Sequence, residues 1–186
     1  HSLLLFRGSG QLPHERHIEI ASWFGPPAPV DNSGKGDFVS VLHNRDPAGS
    51  MQLPFHCDLT YTDTPIKAIC LQAIELPGSP TSTTYVSNFA GWNHLSEEVQ
   101  RHLEGLTLRH VHISKVAEYD WPPFITDHPV KFLHPRIGRP LLLCTEHHAE
   151  RIVELEEAES AALIAELFAH QYAPERQYEH VWQLND

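Results

Sequence analysis

Phe55-His56-Cys57-Asp58-Leu59-Thr60-Tyr61 is the stretch on which the reading of this chain turns. It reads as a β-strand, closed by the turn chemistry of Asp63-Thr64-Pro65. Side chains two apart on a strand project from one face, so His56 and Asp58 are expected to reach one point in space, with Cys57 and Leu59 turned the other way. An imidazole nitrogen and a carboxylate oxygen aimed at one point make two thirds of a 2-His-1-carboxylate triad, the donor set that holds Fe(II) with coordination positions open. A polar strand face without a metal has the same alternation, and His-x-Asp alone does not separate the two.

Downstream, residues 66–74 restart as a β-rich run containing Ala68-Ile69-Cys70-Leu71, and a Pro/Gly/Ser loop over 76–82 delivers Thr83 and Thr84 to another strand over 83–86. Residues 88–95 read as a short helix. Ser96 is placed to cap a second one, with Glu97 and Glu98 in its first turn, Val99 and Leu103 on its buried side and Gly105 at its end. Residues 106–113 alternate as a strand with His110 and His112 on one face. That pair is a rival metal site by spacing, against the plainer reading of an exposed strand face. Residues 115–127 form a polar and aromatic connector, 130–133 and 140–144 a hairpin about Pro135-Arg136-Ile137-Gly138, 156–170 an amphipathic helix, and 177–182 a final strand.

Upstream, Leu3-Leu4-Leu5 lies in a run over 2–6 that reads as a buried strand, broken by Gly8-Ser9-Gly10. Leu12-Pro13 opens a helix whose Ile20 and Phe24 predict core packing, with Gly25 at its end and with His14 and His17 at the surface. Residues 26–36 form a loop whose Ser33-Gly34-Lys35-Gly36 lacks the full phosphate-loop layout, 38–42 a strand, and 44–52 an irregular stretch expected at the mouth of the site.

The chain has 186 residues, 41% hydrophobic and 20% charged, which suits one soluble globular domain with a sizeable core. A net charge of -11 with only 13 Lys and Arg argues against a nucleic-acid backbone as partner. Neither a bilayer-spanning apolar run nor a signal-peptide layout is present in the sequence. Cys57, Cys70 and Cys144 are odd in number and lack C-x-x-C spacing, so a reducing cytoplasm is expected, which also suits ferrous iron. Short strands with Pro/Gly turns and a few packing helices predict a mainly β fold with flanking helices, a double-stranded β-helix or jelly roll.

Taken in order, His56-x-Asp58-x-Thr60-Tyr61, Thr64-Pro65, the loop ending in Thr83, the segment 90–96, His128-Pro129-Val130, His134-Pro135-x-x-Gly138 and the late Glu159-Ser160 helix with Trp182 beyond it resemble the taurine dioxygenase (TauD/TfdA) family. The resemblance covers nearly the whole chain. It implies the jelly-roll fold, Fe(II) held by His56 and Asp58, 2-oxoglutarate as cosubstrate and O₂ as oxidant. The activity implied is hydroxylation of a small organic molecule with release of succinate and CO₂. Thr83 corresponds to the threonine that contacts the distal carboxylate of 2-oxoglutarate, and Gln52 stands where the family has a substrate-binding asparagine. The histidine and tyrosine that hold taurine have no match in residues 26–33, so taurine is not the expected substrate.

The family's third ligand, a histidine, and its cosubstrate arginine are expected beyond Asp186. Within the sequence, His110, His112, His128, His134, His147 and His148 are the other candidates for the third position, and residues are expected to precede His1. The connector over 115–127 is either a short version of the family's lid or a junction at which further residues belong. A reading from a different class keeps the fold as a cupin-like binding protein that uses His56 and Asp58 for zinc or for no metal. A small-molecule substrate, no nucleic acid and no membrane are the expected partners, with homo-oligomerisation left open.

Overall fold

The structure is a computed structural model that describes residues 2–28, 38–43, 52–112 and 123–186. Most of the loops expected over 26–36 and 44–52, and much of the connector expected over 115–127, lie outside the described residues. The chain divides into two compact units, one made of His1–Leu53, Ile66–Thr83 and His180–Asp186, the other of Pro54–Pro65 and Thr84–Glu179. Strands outnumber helices among the described residues. β1 (Ser82–Val86) pairs with β7 (Gln177–Val181), β3 (Phe124–Pro129), β2 (Thr107–His112) and β6 (Ala149–Ile152) form a three-stranded sheet in that order, and β4 (Lys131–Leu133) pairs with β5 (Pro140–Leu142).

The second unit holds the core. Leu103, Leu108, Val130, Leu142, Cys144 and Ile152 are fully buried, and Trp92, Ile164 and Leu167 close around them. Helix α2 (Asn88–Asn93) supplies Trp92, and α3 (Glu97–His102) runs into the buried Leu103. The Ser96 hydroxyl accepts from the Val99 amide and caps α3 as its sequence predicts, and Gly105 follows in the left-handed region at φ 84°. Helix α4 (Glu157–Gln171) lays Ile164 and Leu167 on the core and packs against β6. Its Ser160 is buried, and its hydroxyl accepts from the Ile152 amide at 2.7 Å, joining helix to strand.

In the sheet, β2 runs antiparallel to both neighbours, with His110 opposite Thr126 on β3 and opposite Ala149 on β6. The face carrying Leu108 and His110 is the buried one. This corrects the exposed-face reading: His110 is fully buried, and neither ring nitrogen has a hydrogen-bond partner among the described residues. Phe124 to Asp127, expected as connector, belongs to β3.

Four expected strands are absent. Residues 2–6, 38–42, 55–61 and 66–74 carry no strand, and Leu4 and Phe6 are 63% and 67% exposed. An apolar run becomes a strand only where a neighbouring backbone takes its hydrogen bonds in succession, and among the described residues these runs have no such ladder. Their backbone bonds to distant segments are isolated ones, at Phe55 with His147 and at Ala73 with Asn185 and Asp186. Helix α1 (His14–Ser22), with Pro13 at its N-cap, forms as expected but buries no residue, so it is not the core-packing helix that its period implies. The three cysteines are free, and no described helix is long and apolar enough to cross a membrane.

Leu103→Ala is expected to lower unfolding free energy by about 2–5 kcal/mol, because the side chain is fully enclosed. Leu133→Ala, at a site 56% exposed, should stay within about 0.5 kcal/mol of the parent. Urea denaturation of the two variants checks the contrast.

Candidate metal site

The His56–Asp58 stretch is a turn, not the strand expected. Leu59 takes φ 59°, the Thr62 amide donates to the Leu59 carbonyl, and the Thr60 and Thr62 hydroxyls donate to the Cys57 and Leu59 carbonyls. These side-chain bonds serve a backbone that has no ladder partner. The two side chains nevertheless converge, with His56 Nε2 3.3 Å from an Asp58 carboxylate oxygen. Two ligand atoms bound at right angles about 2.1 Å from one ion stand about 3 Å apart, so the pair has the spacing of neighbouring ligands.

Neighbouring elements hold the turn. The Phe55 amide donates to the Glu146 carboxylate, the His147 amide donates to the Phe55 carbonyl, and the Phe55 ring stacks on Tyr172 at 4.3 Å and 9°. On its far side, the Thr126 hydroxyl and His128 Nε2 donate to the Tyr61 and Thr62 carbonyls at 2.8 and 2.9 Å. His128 is therefore a buried positioning residue on β3.

The protonation state fits a ligand role. His56 Nδ1 donates to the Pro54 carbonyl at 2.9 Å, so Nε2 is the nitrogen that faces Asp58 and the one whose proton a metal would displace. The hydrogen bond with Asp58 raises the His56 pKa above its ordinary value, against burial, and the same bond holds the Asp58 carboxyl below its own. Asp58 is thus ionised at neutral pH. A cation between the two atoms would replace the proton they share.

A second cluster lies alongside. His112, at the end of β2, and His147 and His148, in the turn before β6, place one ring nitrogen each within 4.8 Å of one another. The His56 and His147 rings are 5.8 Å apart, and Tyr61 stacks on His112 at 4.4 Å. Among the described residues no third His, Cys, Asp or Glu brings a ligand atom within 4.8 Å of both His56 and Asp58. The adjacent His147-His148 was a visible signal. The supporting roles of Phe55, Tyr61 and Tyr172 had none, since aromatic residues at such positions ordinarily read as core.

Thr83 and Gln52 belong to the other unit. The Thr83 hydroxyl accepts from the Trp182 indole N–H at 2.9 Å, which leaves its own hydrogen to donate, and Gln52 is exposed.

The Taurine catabolism dioxygenase TauD, TfdA family matches the chain over residues 1–186. An alkylsulfatase of Acinetobacter baylyi is 26% identical over 208 aligned residues, which take in 100% of this chain and 64% of that protein. A (S)-phenoxypropionate/alpha-ketoglutarate-dioxygenase of Sphingobium herbicidovorans is 27% identical, with 100% and 72% covered. The crystal structure of a taurine dioxygenase from Burkholderia xenovorans superposes with a TM-score of 0.65 at 22% identity, over 92% of this chain and 60% of that one, a likeness of fold. The chain therefore spans less than two thirds of the alkylsulfatase's length.

The His56–Asp58 contact has a definite pH window. The raised His56 pKa contributes stability that is present below the unfolded value of about 6.5 and lost as pH rises through the folded one. The lowered Asp58 pKa contributes stability that is present above about 3.9 and lost as pH falls through the folded value. The contact is complete roughly between those limits. Asp58→Asn should move the His56 titration midpoint downward, as read by NMR of the ring C–H protons in metal-free protein; an unmoved midpoint would show that the two groups do not pair in solution.

Proposed function

The chain belongs to the TauD/TfdA family, and from that premise we propose that it carries the iron-holding part of an Fe(II)/2-oxoglutarate-dependent dioxygenase that hydroxylates a small organic molecule. The observation that carries the reading is the approach of His56 Nε2 to the Asp58 carboxylate at 3.3 Å, with the Nδ1 proton directed to Pro54. The donor set fits the metal: one neutral imidazole lone pair and one ionised carboxylate are two of the three ligands of an open non-haem iron site. Bound there, the metal would supply activation of O₂ coupled to oxidative decarboxylation of 2-oxoglutarate to succinate and CO₂.

The third ligand is proposed to be a histidine following Asp186, as the family implies. The chain's own contribution is placement. The staple at Phe55 and the bonds from Thr126 and His128 hold the two ligands in register, so that little ordering is left to occur when the ion binds.

Thr83 is proposed to donate its hydroxyl hydrogen to the distal carboxylate of 2-oxoglutarate, with Trp182 fixing the orientation of the hydroxyl. Gln52 is proposed to contact the substrate. Two of the relatives are named for sulfate-ester and phenoxypropionate chemistry, so the substrate proposed here is a small organic anion of the carboxylate, sulfonate or sulfate-ester kind. The fold inferred for the family domain is the double-stranded β-helix, supported by the mainly β architecture and the likeness of fold to a taurine dioxygenase. A cytoplasmic setting suits both the free thiols and ferrous iron.

Succinate release from 2-oxoglutarate, screened over such anions with the whole protein, tests the reading. His56→Ala and Asp58→Ala should each abolish it while circular dichroism stays unchanged, and full activity in either variant would sink the assignment. Thr83→Val should raise the 2-oxoglutarate KM by about tenfold, the worth of one hydrogen bond to a charged group. Thr83→Ser should restore it, which separates the hydroxyl's role from that of the methyl group.

A further inference from the structure

Three imidazoles beside the His56–Asp58 pair gather their ring nitrogens within 4.8 Å of one another. The His147 and His148 rings are 4.4 Å apart at 57°, and His112 and His148 are 5.5 Å apart at 72°. They meet at steep angles, and each contributes a ring nitrogen to one small volume. His148 is buried, and its Nδ1 lies 3.4 Å from the Val111 carbonyl, the side on which its proton is held, so Nε2 keeps its lone pair. Tyr61 backs the group, stacked on His112 and edge-on to His148 at 4.9 Å. Burial pushes the pKa of His148 down to about 4 and those of His112 and His147 below their ordinary values.

We propose that His112, His147 and His148 form a second metal site that takes a borderline divalent ion, Zn(II) above all, and is separate from the His56–Asp58 pair. Three imidazole nitrogens with no oxygen donor among them suit Zn(II), Co(II), Ni(II) or Cu(II) and discriminate against Mg(II) and Ca(II). His147 is exposed, so water reaches the cluster and can fill a fourth position. Nothing in the site depends on the oxygenase reading, because neither His56 nor Asp58 is one of its ligands.

The test is Zn(II) binding by the 186-residue chain in equilibrium dialysis, with Co(II) absorption as a second probe of imidazole coordination. The double variant His56→Ala/Asp58→Ala should keep its zinc affinity within about threefold of the parent, whereas His147→Ala and His112→Ala should each weaken it by at least about tenfold and lose the cobalt spectrum. Circular dichroism controls for folding, and His147→Gln, at an exposed position, repeats the test with little disturbance of packing. Zinc affinity lost in the double variant would place the ion at the His56–Asp58 pair, and affinity unchanged in both His147→Ala and His112→Ala would leave the cluster without a metal; either result overturns the proposal. Since no arm reads turnover, failure here leaves the iron reading standing, and loss of turnover elsewhere leaves this site standing.

Discussion

The site depends on the fastening of one turn to another. Phe55 gives its amide to Glu146, accepts the amide of His147 and lays its ring on Tyr172, so a single residue joins the His56 turn to the His147 turn and to the segment after α4. Two backbone-mediated bonds and an aromatic stack are modest one by one. Together they fix position, and position decides whether His56 and Asp58 point at one place. The Tyr172 hydroxyl extends the fastening by donating to the Cys144 carbonyl at 3.1 Å and accepting from the Glu146 amide at 3.2 Å.

Charge arrangement follows from that geometry. His56 and Asp58 reinforce each other, one keeping its proton and the other losing its own, while the histidines beyond them are depressed by burial and by one another. The result is one carboxylate that holds a proton on His56, beside imidazoles that burial and mutual repulsion keep from charging. A divalent cation at the pair would displace that proton. His110, one turn of the pleat deeper on β2, is held neutral in the same way, with a pKa of about 4.

Much of this was legible in the sequence wherever the signal is local. The Ser96 cap, the hairpin about Gly138 and the four-residue period of Ile164 and Phe168 each report on neighbours a turn away, and each is found in the fold. The strand expected over 55–61 failed because alternation describes one chain while a ladder needs two, and the bonds that shape this stretch come from Thr126, His128 and Glu146, far along the chain. The convergence of His56 and Asp58 survived the error, since a turn can bring residues two apart together as a strand can. The exposed face assigned to His110 and His112 failed for a related reason: the side of β2 that meets the core is chosen by Leu108 and by the sheet's partners, not by the polarity of histidine.

Leu59 shows where the shape of such a site comes from. A leucine at φ 59° sits in the left-handed region, which costs a residue with a Cβ about 1–2 kcal/mol and which its own sequence gives it no reason to visit. The conformation is held by the local bonds of Thr60 and Thr62 and, from outside, by the carbonyls of Tyr61 and Thr62 that β3 grips through Thr126 and His128. An isolated peptide of these residues would relax to another shape. The shape that brings His56 and Asp58 together is thus held by bonds to residues 65 and 66 positions further along the chain.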